Sequence, residues 1–175
     1  MQKTSVQRKY LDFLDLGATL PSGMAVAFER FRDELEGHPA VETQSLILAL
    51  NETRKTLLAS RLLMADASQG RPAMLASEIR PGDGVWVKAC NRVDTSAMRV
   101  SLDLLFLDSD HRVVAALTHV RPGSTCPEVE EAVGVLELAA GTIRLSQTEK
   151  GDHVALEPIV TRPAHEPAGA RASRS

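Results

Sequence analysis

The stretch MRVSLDLLFLDSDHRVVAAL, residues 98–117, restricts the fold more than any other part of this chain. Two apolar runs flank DSDH at 108–111, where Asp108 and Asp110 are residues that favour tight turns. Each run is too short for a buried helix, so the pattern predicts a β-hairpin with strands over 99–107 and 112–119. An acid, Asp103, sits inside the first run. Burying a carboxylate is costly unless it is paired or at work, which makes Asp103 the first candidate for a function.

The same punctuation recurs along the chain. QSLILALNETRKTLLASRLLMA reads as two strands joined by a turn at Asn51-Glu52. Pro81, Gly82 and Gly84 supply a turn that feeds a strand over 85–90. RPGSTCPEVEE is a loop, with Glu130-Glu131 in a short helical turn. AVGVLELAAG is a strand ending at Gly141, and Gly151-Asp152 is a turn before the last strand. Short strands between Gly/Pro turns predict a mainly β protein, a small β sandwich or jelly-roll-like domain.

The beginning of the chain has a different period. Val6, Tyr10, Phe13 and Leu14 recur at helical spacing, as do Met24, Ala27, Phe28, Phe31 and Leu35, with Ser22 placed to cap and Gly37 to stop. These stripes predict an N-terminal helical hairpin. The end, TRPAHEPAGARASRS, has no apolar period and a composition typical of disorder. The organisation expected is therefore a helical extension over 1–38, a β-sandwich domain over 39–160 and a disordered tail over 161–175.

A chain of 175 residues fits one domain, able to bury roughly 70% of the surface its unfolded form exposes. Aromatic residues make up 3%, so the core must be aliphatic. A net charge of −3, with no basic stripe interleaved with aromatics, argues against binding nucleic acid or an anionic membrane. No uncharged apolar run reaches the roughly 18 residues a spanning helix needs, and charges at Arg8, Lys9, Asp12 and Asp15 break up any signal-peptide block. The expected location is the cytoplasm. Cys90 and Cys126 read as two reduced thiols.

An ordered set of features resembles a known family. The Asn51 turn before a second strand comes first, then a Gly-rich turn before a strand ending in Cys90. Val93, Thr95 and Met98 follow, ahead of LDLLFLD, then VVAAL, VLELAAG and Gly151-Asp152. From about residue 46 to 156 this resembles domain-of-unknown-function family 192, an uncharacterised bacterial and archaeal family. The resemblance implies a small, jelly-roll-like β sandwich and brings no activity, substrate or cofactor. Many relatives have His or Asn where this chain has Asp94, and an Arg and a Gly-Leu pair ahead of Gly82, to which only Arg71 answers. The helical extension lies outside the resemblance.

The residues that could carry chemistry or binding are few. Asp103 shares a strand face with Ser101, Leu105 and Leu107 and is either a structural acceptor of backbone N–H groups, from a loop such as 94–98, or a general base. Asp94, Thr95 and Met98 lie in the connection leading into that strand, where binding residues tend to sit, although a turn plus a core Met explains them equally. Glu137 is a second acid within an apolar strand. It would face Asp103 if their strands are neighbours, or face solvent by the ordinary alternation of a half-buried strand. These five are the candidate ligand-binding residues. Asp108, Asp110 and His111 lack the downstream ligands of a calcium loop, and the other histidines share no metal spacing, so no metal site, cofactor or catalytic set is assigned. The reading that follows is a soluble, non-enzymatic accessory or binding domain. The alternatives are a hydrolase-like enzyme using Asp103 with Asp94 or Glu137, and a structural subunit whose N-terminal hairpin meets a protein partner or a second copy.

Overall fold

In the computed structural model, residues 46–67 and 79–159 are described. They form strands β1 (Leu46–Asn51), β2 (Thr56–Asp66), β3 (Asp83–Lys88), β4 (Leu102–Leu107), β5 (Val113–Val120) and β6 (Gly134–Ala139), then helix α1 (Thr142–Ser146) and strand β7 (Val154–Ile159). All seven strands belong to one sheet in the order β5-β4-β6-β3-β2-β1-β7. Only β2 and β3 pair in parallel; every other neighbour is antiparallel. The predicted 1–38 hairpin and the 161–175 tail lie outside the described residues.

The mainly β expectation stands, but the sandwich is corrected. Among the described residues there is one sheet rather than two, and it curls on itself. Its terminal strands meet at one corner, where the Val113 N–H donates to the Asp152 carbonyl (2.9 Å) and the Val154 N–H to that of His111 (2.9 Å). Arg112 and His153 form a bridge at the same point. Curling supplies the second apolar layer that a sandwich would draw from a separate sheet.

Burial follows from this curl. Ala49, Leu58, Leu62, Trp86, Leu105, Leu107, Leu136, Leu138 and Val154 pack together with Ile143 of α1. The other face of the central strands packs Leu102, Leu104, Phe106 and Val135 against Val93, Met98, Cys126 and Ala132 of the loops 91–101 and 121–133. Every residue of β4 and β6 is consequently buried. That is why LDLLFL and GVLELA read as unbroken apolar runs rather than alternations.

Most strand boundaries follow the turn residues. The Asn51 turn, the DSDH turn and the Gly151-Asp152 turn all fall between strands. Asp108 holds its turn by accepting from the N–H groups of Asp110 (2.9 Å) and Arg112 (2.8 Å). β3 spans 83–88 rather than 85–90, because Ala89 turns into a left-handed conformation (φ 51°) and takes Cys90 out of the ladder. α1 was not predicted. It starts at Gly141, whose φ of 94° is open to glycine at little cost.

Candidate functional site

Asp103 is fully buried in β4. Its neighbour β5 pairs Leu102 with Val120 and Leu104 with Leu117, leaving Thr118 and His119 opposite Asp103 alone. This bulge puts His119 at φ 52° and aims its N–H at Asp103 Oδ1 (2.9 Å). The other oxygen accepts from Gly141 N–H (2.9 Å) and Ile143 N–H (2.8 Å), both at the start of α1. Three backbone donors thus converge on one carboxylate, which joins β4, β5 and α1. The donors come from 119 and 141–143, not from the 94–98 loop that the sequence suggested. The His119 ring is mostly exposed, with Nδ1 3.9 Å from Oδ1, beyond hydrogen-bond reach.

Thr95 is buried and staples two loops. Its hydroxyl donates to the Arg121 carbonyl (2.7 Å), lies 2.9 Å from that of Ser124 and accepts the Ser124 N–H (2.9 Å). Its own N–H donates to the Ser124 carbonyl (2.8 Å), and its carbonyl accepts from Met98 and Gly123 (3.0 Å each). Met98 is in the core under these loops. Asp94 is exposed and accepts the Ser96 N–H (2.8 Å), an Asx-type turn.

Glu137 departs from both orientations open to it. β6 does pair with β4, but Glu137 stands opposite Leu104 while Asp103 stands opposite Leu138. Directly paired residues point to the same face, so the two acids lie on opposite faces of the sheet. Glu137 is also 1% exposed and does not face solvent. The alternation argument assumes one wet face, and β6, buried at every residue, has none.

The sequence reading missed a buried polar seam where the sheet closes. Asn51, at the end of β1, donates through Nδ2 to Thr148 Oγ1 (2.9 Å) and to Asp152 Oδ2 (2.9 Å). Ser146 spends its hydroxyl hydrogen on the Thr142 carbonyl (2.8 Å), so Thr148 must be the donor in their 2.7 Å contact. The hydrogen bonds therefore run one way, from Asn51 through Thr148 and Ser146 to α1. Arg54 Nε contacts both Asp152 oxygens (3.2 and 3.1 Å) and its guanidinium pairs with Glu149. Burial pushes the Asp152 carboxyl up, but the Asn51 amide, the Glu149 N–H and Arg54 outweigh it and hold it below the ordinary carboxylate value. Asn51 and Asp152 were read only as turn markers; the signal available was an amide ending an apolar strand.

These elements occur in the order in which the family's features were recognised. The profile of domain-of-unknown-function family 192, described as an uncharacterized ACR, matches residues 50–156. The chain belongs to this family. The match runs from the end of β1 into β7 and so includes Asp103, Thr95, Glu137 and the seam. No curated protein matches the chain. Two crystal structures share the fold: a protein described as a candidate transcription regulator from Sinorhizobium meliloti 1021, and a protein of unknown function from Novosphingobium aromaticivorans DSM 12444. The first has a TM-score of 0.51 at 18% identity, covering 67% of this chain and 97% of its own. For the second the TM-score is 0.51 at 18% identity, with 70% and 96% covered. Among the described residues, no group of three or more His, Cys, Asp or Glu is placed to hold a metal ion, and no helix is long and apolar enough to cross a membrane.

Proposed function

We propose that the chain is a non-enzymatic accessory or binding domain that makes contact through the loop carrying Asp94, Thr95 and Met98. The observation that carries this reading is the state of Asp103. Its oxygens are taken by three backbone N–H groups, which leaves a poor acceptor for a substrate proton. The loop is different in kind. Thr95 and Met98 anchor it, while Asp94, Ser96, Ala97 and Arg99 are exposed on it. A short loop held rigid by its backbone loses little entropy when something binds, which suits a contact surface.

A thermal-shift screen of the full chain against divalent metals, nucleotides, sugars, small acids and short peptides tests this. A ligand at 100 times its dissociation constant adds about 2.7 kcal/mol, or roughly 5–10 °C in a domain of this size. The reading expects a hit that Asp94→Ala or Arg99→Ala removes while the unliganded melting temperature stays put. A compound turned over by the wild-type chain and not by Asp103→Glu would sink it.

A further inference from the structure

The inner face of β1 and β7 belongs to the main core, where Ile47, Ala49, Val154 and Leu156 pack. The alternate residues point the other way. Leu48 pairs with Glu157, and Leu50 pairs with Ala155 on one side and Leu57 on the other, so these five share the outer face. Leu48 and Leu57 are each 2% exposed, and Ala155 is buried too. None of the three belongs to a cluster formed by the other described core residues. The loops 91–101 and 121–133 cover the outer face at β4 and β6, with β3 and β2 between them and β1. Ile143 commits α1 to the inner face. The cover also ends at β2: Leu63, further along the same face, is 44% exposed, and Arg61, paired with Asp83, is exposed beside it.

The outer face of β7, β1 and the start of β2 is therefore shielded by a part of the chain beyond the described residues. Residues 68–78 carry the chain from β2 to β3, away from β1. Residues 160–175 have no apolar period. Residues 1–45 lead straight into β1 and hold the stripe Met24, Ala27, Phe28, Phe31 and Leu35, between a cap at Ser22 and a stop at Gly37. A helix over 24–35 is about 18 Å long, and a six-residue strand such as β1 runs roughly 20 Å. Residues 36–45, at up to about 3.3 Å each, reach far enough to bring that helix back over the strand they precede. Glu157 is the one charged residue on this face of β1 and β7, and Arg32 borders the stripe with the opposite sign.

We propose that residues 22–36 form an amphipathic helix that docks in cis on the outer face of β7, β1 and the start of β2. Phe28 and Phe31 lie over Leu48 and Leu57, and Arg32 turns towards Glu157. The N-terminal extension is then part of the domain's own core rather than an arm held out for a partner. Its removal leaves an apolar patch on the sheet. The contact loop at 94–99 lies over β4 and β6, so this docking stands or falls apart from it.

The photo-reactive residue benzoylphenylalanine, placed at Phe31 of the full chain or, as a control, at Asp33 on the opposite side of the helix, tests this by irradiation and peptide mass spectrometry. Crosslinks within one chain from position 31 to residues 46–57 or 154–159 are expected, with few from position 33. Phe28→Ala/Phe31→Ala should lower the melting temperature by about 5–10 °C. That loss should be smaller when Leu48→Ala is already present, because the contact is then partly gone. Crosslinks between two chains overturn the cis contact in favour of an exchanged one. Crosslinks to other parts of the chain, or none above the control, overturn the docking altogether. An unchanged melting temperature, or losses that simply add, would do the same.

Discussion

Replacing Asp103 with Asn keeps the size of the side chain but swaps one acceptor oxygen for an N–H₂ donor. Whichever way the amide turns, it sets a donor against at least one of the N–H groups of His119, Gly141 or Ile143. Asp103→Asn should lose about 2–3 kcal/mol in urea denaturation. A change under about 0.5 kcal/mol would show that the three bonds contribute little. Gly134 offers a second check at this scale. A Cβ there would lie 2.4 Å from one carbon of the Trp86 ring and 2.5 Å from another. Gly134→Ala should cost about 1–3 kcal/mol by overpacking, and should shift the emission of Trp86, the chain's only tryptophan.

At the scale of elements, the outer face of the sheet depends on two loops that meet at Thr95. Thr95→Val preserves the shape and deletes the hydroxyl, leaving the Ser124 N–H without its side-chain acceptor. The expected loss is about 1–3 kcal/mol, accompanied by faster amide exchange in 121–126, with Thr95→Ser recovering most of both. Equal exchange in Thr95→Val and wild type would mean that the loops are held by the apolar cluster alone. Most strands were legible in the sequence because a turn former bounds each of them: Asn51 after β1, Gly82 before β3, Asp108 after β4. α1 was not, since TIRLS is too short to show a helical period. The inward turn of Glu137 was hidden too, because alternation along a strand says nothing once both faces are covered.

For the molecule as a whole, the closing seam sets the response to acid. Asp152 has its carboxyl held below the ordinary value in the fold, so it binds its proton more weakly there than in the unfolded chain. Its contribution is fully present above the unfolded carboxylate range and is lost as pH falls through the lower, folded value. Stability should therefore fall on acidification below about pH 4. Asp152→Asn should be less stable at neutral pH and show a shallower acid limb in a plot of unfolding free energy against pH. Parallel limbs for the two proteins would rule out Asp152 as a source of the acid sensitivity. The curl behind this seam was not legible in the sequence, because an apolar strand face looks the same whether it is covered by a second sheet or by its own sheet bent round. Asp103 was legible as a buried acid, while its partners, about 16 to 40 residues away in the chain, could be found only once the strands were placed.

The seam also carries a consequence for synthesis. β1 is the first described strand, yet it pairs with β7, and Asn51 bonds to partners 97 and 101 residues further on. A chain emerging from the ribosome must hold β1 with one edge unfilled until nearly all of the domain has been made. Folding is thus forced to wait for its last strand, and nascent chains halted before residue 152 should stay protease-sensitive and associate through that open edge.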